Sequence, residues 1–122
     1  MSAERNRTVK VKQMKDVPAV AMGKIAPGVS KQVLIGPAEK VPAFVMRRFI
    51  LKPGASTPWH KHNWEHEIFV LQGRGLAVSQ KGKKQLKRGS VVFVPAREMH
   101  QFKNAGKTTF SMLCLVPRRG EM

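Results

Sequence analysis

The stretch Pro58-Trp59-His60-Lys61-His62-Asn63-Trp64-Glu65-His66-Glu67-Ile68-Phe69-Val70-Leu71 decides the reading of this chain, because three of its four histidines fall there within seven residues. In extended backbone, residues two apart share a face, so His60 and His62 project side by side. His66 has the same parity if the strand runs unbulged, and His100 then arrives from another strand. Unrelated surface or core histidines do not account for such a cluster. His62-Asn63-Trp64-Glu65-His66 also fits the His-x-x-Glu-His pattern of inverted zinc peptidases, which needs a helix to bring its histidines together. Pro58 upstream, and Ile68–Leu71 running into Gly73-Arg74-Gly75, argue for a strand and a turn instead.

Outward from this stretch, short runs rich in β-branched and aromatic residues recur at Val33–Ile35, Phe44–Leu51, Ile68–Leu71, Gly75–Gln80, Ser90–Val94, His100–Lys103 and Thr109–Val116. Gly36-Pro37, Pro42, Pro53-Gly54, Gly73, Gly82, Gly89, Pro95, Gly106 and Pro117 punctuate them. Turns this frequent leave little room for crossover helices, which predicts an all-β antiparallel sandwich or barrel. Lys81-Gly82-Lys83 reads as a hairpin tip, with Gly supplying positive φ and the lysines keeping the edge soluble. Residues 1–16 are polar and read as an arm, either loose or pairing with a partner subunit through the alternation Val9, Val11 against Lys10, Lys12. Residues 17–122 are expected to form one barrel domain.

Hydrophobic residues make up 42% of the 122, enough for a packed core. No apolar run approaches the ~20 residues needed to cross a bilayer. Met1–Arg7 lacks the apolar stretch of a secretory signal. The lone cysteine, Cys114, excludes an internal disulfide framework and thiolate-rich zinc sites, and fits a reducing cytoplasm. Imidazoles and carboxylates remain as candidate ligands. Lys plus Arg is 23 against 7 Asp plus Glu, a net charge of +16. Such a field attracts polyanions and small anions alike. The basic residues are spread along the whole chain, however, and neither tyrosine nor a nucleic-acid-binding signature accompanies them. A basic solvated surface is expected, with a small anionic substrate and without a nucleic-acid or membrane partner.

Two motifs carry a family likeness. Gly54-x5-His60-x-His62-x3-His66-x6-Gly73 resembles the first motif of the cupins, Gly-x5-His-x-His-x3–4-Glu-x6-Gly. Gly89-x5-Pro95-Ala96-Arg97-x2-His100-x3-Asn104 resembles the second, Gly-x5-Pro-x-Gly-x2-His-x3-Asn, and fifteen residues separate Gly73 from Gly89. The motifs cover residues 54–104, and the strand-like flanks extend the likeness over about 30–117. Two departures stand out. His66 replaces the usual glutamate, as in one branch of small bacterial cupins. Arg97 replaces the second glycine, whose place in the turn favours positive φ.

The resemblance implies a jelly-roll barrel (a double-stranded β-helix) that holds one metal ion in its mouth on His60, His62, His66 and His100. Imidazole suits Mn, Fe, Co, Ni, Cu and Zn, so the donor set does not select the divalent ion. Four neutral imidazoles would leave the site at +2, where a carboxylate would leave +1, a difference that favours anionic ligands. Glu65, Glu67 and Glu98 are candidates to orient the ligand rings, although by parity Glu65 and Glu67 point away. The resemblance sets Arg47 inward as an anion-binding residue, and turns Met112, Cys114 and Val116 toward the cavity. Trp64 and Phe102 read as packing residues. No separate nucleophile or acid–base pair is evident, so chemistry is expected at the metal. The implied function is oxidation or dioxygenation of a small anionic or enolisable molecule by a homodimer. The alternatives are a non-catalytic ligand sensor and an isomerase or cyclase.

Overall fold

A computed structural model describes residues 8–121. Its strands are β1 (Val20–Ala21), β2 (Val29–Ile35), β3 (Phe44–Leu51), β4 (His66–Gln72), β5 (Arg74–Ser79), β6 (Gly82–Lys87), β7 (Val91–Val94), β8 (His100–Asn104) and β9 (Phe110–Pro117). Single 3-10 turns at Met14–Asp16, Gly23–Ile25, Pro37–Glu39 and Arg118–Glu121 are the only helical elements among the described residues. One sheet has the order β1-β2-β3-β9-β4-β7 and the other β6-β5-β8, all pairs antiparallel. The result is the all-β antiparallel fold expected from the turn spacing, in the jelly-roll form that the family resemblance implies.

Alternation explains which side of each strand is dry. Along β3, Val45, Arg47, Phe49 and Leu51 are buried, and along β9 so are Phe110, Met112, Cys114 and Val116. Cα register pairs Val45 with Val116, Arg47 with Cys114 and Phe49 with Met112, so both inner rows form one wall. Val29, Ile68, Val70, Phe102 and Leu86 complete the core between the sheets. A β-carbon on Gly75 would lie 2.7 Å from Phe110 Cε1, so glycine is what lets β5 close over the Phe110 ring. Below the mouth, Asn104 Nδ2 donates to Leu51 O and Thr108 O, each at 2.9 Å, while its Oδ1 accepts from Gly106 N at 2.9 Å. That buried amide fastens the β8–β9 turn to the end of β3.

Several expected boundaries shift. The hairpin turns at Gln80-Lys81 rather than Lys81–Lys83, and Gly82, at φ +127°, already pairs with Ser79 as the first residue of β6. β6 itself went unforeseen because Lys83, Lys84 and Lys87 obscure its pattern around one buried side chain, Leu86. Of the expected arm, residues 1–7 lie outside the described residues. Residues 8–13 form no strand, and Val9 and Val11 are exposed. The following turn is tied down, since Gln32 Nε2 donates to Met14 O at 3.0 Å and Val17 O at 2.7 Å, and Lys12 pairs with Glu39 at 2.8 Å.

Candidate metal centre

The four histidines converge from both sheets. Thr57 N–H donates to Phe102 O at 2.9 Å, and His60 and His100 exchange backbone bonds at 3.2 and 2.9 Å, so residues 55–60 run as an extra strand beside β8. The chain then bends at residues 61–65 and crosses to the larger sheet, where His66 opens β4 opposite Val94. The condition on which His66 would share parity with His60 and His62, an unbulged strand, is not met: a bend brings His66 round. Arg97 holds that bend from outside, its N–H donating to His62 O at 2.7 Å. It does so at φ +67°, keeping the conformation that the glycine of the family pattern would supply.

Ring centroids of His60, His62, His66 and His100 lie 4.3–5.1 Å apart in five of their pairings. One nitrogen each of His60, His62 and His100 can be chosen so that all three lie within 4.8 Å of one another, a spacing that could hold a metal ion. His66 Nε2 faces His62 Nε2 directly. His62 Nδ1 donates to Trp64 O at 3.1 Å and His100 Nδ1 to Glu98 O at 2.7 Å. A carbonyl oxygen only accepts, so these contacts put the proton on Nδ1 and leave the Nε2 lone pair free. His66 Nδ1 meets Cys114 Sγ at 2.9 Å.

His60, His62 and His66 are held toward the neutral form. Burial, with His62 and Arg47 beside it, pushes His66 down to about 2. Desolvation by the barrel wall, with His100 and His62 near, lowers His60 to about 4, and His62 is lowered chiefly by burial. The free Nε2 lone pair of His62 points at His66 Nε2, a pairing that is satisfied by a cation between the two rings or by a proton on His66 Nε2. His60, His62 and His100, two of them with Nδ1 committed to carbonyl oxygens, offer a donor set that suits a divalent transition metal, so these residues fit such an ion.

A cavity of about 190 Å³ lies beside the rings, lined also by Met22, Lys31, Arg47, Trp64, Met112 and Cys114. Arg47 is only 7% exposed; its Nη2 donates to Cys114 Sγ at 2.9 Å and its Nη1 reaches Glu121 Oε1 at 3.2 Å. Burial raises the Cys114 thiol against the lowering influence of Arg47. Val116 shares the inner face but does not line the cavity, which corrects its expected place: the turn at Gly120 folds over it. The carboxylates of Glu65, Glu67 and Glu98 bond to none of the rings, and backbone carbonyls and a thiol take the expected role instead. Trp64 is more than packing, since its indole stacks on His62 at 4.5 Å and 4°. Lys31 and Glu121 escaped sequence reasoning, one in an unforeseen part of β2 and the other beyond the last expected strand.

The cupin domain profile matches residues 47–116. Two curated relatives are each 33% identical: an uncharacterised protein of Methanocaldococcus jannaschii over 53% of either chain, and an oxalate-binding protein of Thermotoga maritima over 61% of this chain. This chain spans about half the length of the first and 62% of the second. Among solved structures, the polyketide cyclase RemF from Streptomyces resistomycificus superposes with a TM-score of 0.83 at 31% identity, over 90% of this chain and 80% of its own. With both histidine motifs seated in a jelly roll and the domain profile spanning more than half its length, the chain belongs to the cupin family.

Proposed function

We propose that this cupin binds one divalent transition metal through His60, His62, His66 and His100 and uses it to oxidise or dioxygenate a small anionic or enolisable organic molecule. The observation that carries the reading is the convergence of four imidazoles, two with Nδ1 fixed on carbonyl oxygens. When bound, the ion supplies Lewis acidity and, if redox-active, electrons for oxygen chemistry. The protein's own part is to gather the four rings, two of them in fixed tautomers, and keep the rear of the site dry with Ile68, Phe102 and Met112. Arg47 and Lys31 add positive charge beside the cavity, and the +16 of the chain draws anions toward it.

A second reading, cyclisation or isomerisation without oxygen, is favoured by the likeness to RemF. Metal-free protein is titrated with Mn, Fe, Co, Ni, Cu and Zn by calorimetry, and each loaded form is then assayed with a panel of enols, β-dicarbonyls and catechols in an oxygen electrode. Stoichiometric binding with substrate-dependent oxygen uptake supports the first reading. Product without oxygen uptake supports the second. Tight substrate binding without turnover makes the protein a ligand sensor, and absence of metal uptake refutes all three.

The working unit is a homodimer formed through the outer face of the larger sheet. Phe44, Phe69, Val91 and Phe93 stand exposed there, with Leu113 and Leu115 in register between them. No described helix is long and apolar enough to cross a membrane. The unpaired, buried Cys114 suits the reducing cytoplasm.

A further inference from the structure

The turn Arg118–Glu121 closes over the cavity with a carboxylate in hand. Glu121 Oε2 lies 2.8 Å from Lys31 Nζ, and its Oε1 lies 3.2 Å from Arg47 Nη1. Two cations, one from β2 and one from β3, thus grip one carboxylate at the edge of the cavity. Both cations line that cavity, and no carboxylate is among the described residues lining it. The guanidinium is incompletely satisfied: Arg47 Nε is buried without a hydrogen-bond partner, and Nη2 meets only the weak acceptor Cys114 Sγ. We propose that Arg47 and Lys31 form a carboxylate-binding subsite, that Glu121 fills it from within, and that a small organic carboxylate displaces Glu121 and lifts the turn. This rests on the reading that the cavity holds a small anionic ligand.

The turn is seated for release. Its backbone is held by Arg118 N–H on Ala43 O at 2.8 Å, and Arg119 Nη2 reaches Asn63 O at 3.2 Å. No residue of the turn is buried. Gly120 presses on Trp64 so closely that a β-carbon there would lie 2.8 Å from the indole Nε1. Trp64 in turn stacks on His62, so movement of the turn is felt at a candidate ligand ring. At about 190 Å³ the cavity is smaller than the ~300–1,000 Å³ of sites for drug-sized molecules, which restricts the class to acids of a few carbons.

The test compares the full chain with its Glu121→Gln variant, both carrying Trp59→Phe so that Trp64 alone reports by fluorescence. Succinate and inorganic phosphate are titrated calorimetrically, in metal-free and metal-loaded protein. Removing the internal carboxylate should tighten succinate binding about tenfold, because one charge-assisted bond no longer has to be broken. Trp64 emission should shift in the variant without ligand as it does in the parent on succinate. Unchanged or weaker succinate binding in Glu121→Gln overturns the proposal, as does phosphate binding as tightly as succinate. The metal-free arm separates the two readings. Metal uptake without the succinate effect removes the subsite alone, whereas a succinate effect without metal uptake removes the metal reading alone.

Discussion

Acid should destabilise the metal-free protein well before its carboxylates titrate. His66 is 7% exposed and is held down to about 2, whereas an unfolded histidine titrates near ~6.5. The folded form therefore excludes a proton that the unfolded form accepts. Its contribution is fully present above pH ~6.5 and is lost as pH falls below that value toward the folded pKa. Each pH unit costs up to ~1.4 kcal/mol per histidine, so between pH 6.5 and 5.0 His66 alone removes about 2 kcal/mol. His60 and His62 act in the same direction but reach solvent at the mouth, so less is expected of them. For a chain of this length 2 kcal/mol corresponds to a fall in Tm of roughly 6–10 °C. The assay is a thermal melt of chelator-treated protein at pH 7.5, 6.5, 5.75 and 5.0, repeated with bound metal. Bound ion should stabilise at every pH and steepen the decline, since a ligand ring that takes a proton gives up its metal bond. A melting temperature flat from pH 7.5 to 5.0 without metal would refute the claim that these rings are held toward the neutral form by the fold.

Other outcomes follow from single contacts. Arg97→Gly relieves the left-handed backbone at φ +67° and should stabilise by about 0.5–1 kcal/mol in urea denaturation, net of the added freedom of the unfolded chain. Asn104→Ala leaves Leu51 O and Thr108 O without a donor and should cost about 2–4 kcal/mol by the same measure. Cys114→Ala removes the group facing His66 Nδ1 and should weaken metal affinity roughly tenfold in a chelator competition, with little loss of Tm in the loaded protein. Phe69→Lys, on the exposed sheet face opposite Val91, should turn a dimer into a monomer in sedimentation velocity while the far-ultraviolet circular dichroism stays unchanged.

The strands that sequence made legible are those whose pattern is hydrophobic and whose ends carry Gly or Pro. Phe44–Leu51 matches β3 residue for residue; its pattern leaves open which of Arg47 and Arg48 turns inward, and the family resemblance favours Arg47, which lies on the inner face with Val45, Phe49 and Leu51. β6 stayed hidden because a strand at the rim of a small sheet needs only Leu86 buried and lets lysine fill the rest. At the histidines, spacing announced the cluster but not the path, since parity assumes one sheet and the bend at residues 61–65 changes sheets. Ring orientation was equally beyond reach. It is set by the carbonyls of Trp64 and Glu98, and every residue has a carbonyl. Arg97 taught the reverse lesson, for tertiary contacts with the bend impose a backbone shape that its side chain disfavours.

The crossing of the chain between sheets has a mechanical consequence. His60 and His100 stand on the side of the smaller sheet and His66 on the larger, and no hydrogen-bonded ladder joins β6 to β7 among the described residues. An ion gripped from both sides would be a rivet through two plates whose common seam is unstitched. Breathing of the barrel along that seam then strains a coordinate bond, so stiffness of the walls and residence time of the ion rise and fall together. Substitutions remote from every imidazole, if they let the plates slide, should show first as faster loss of metal.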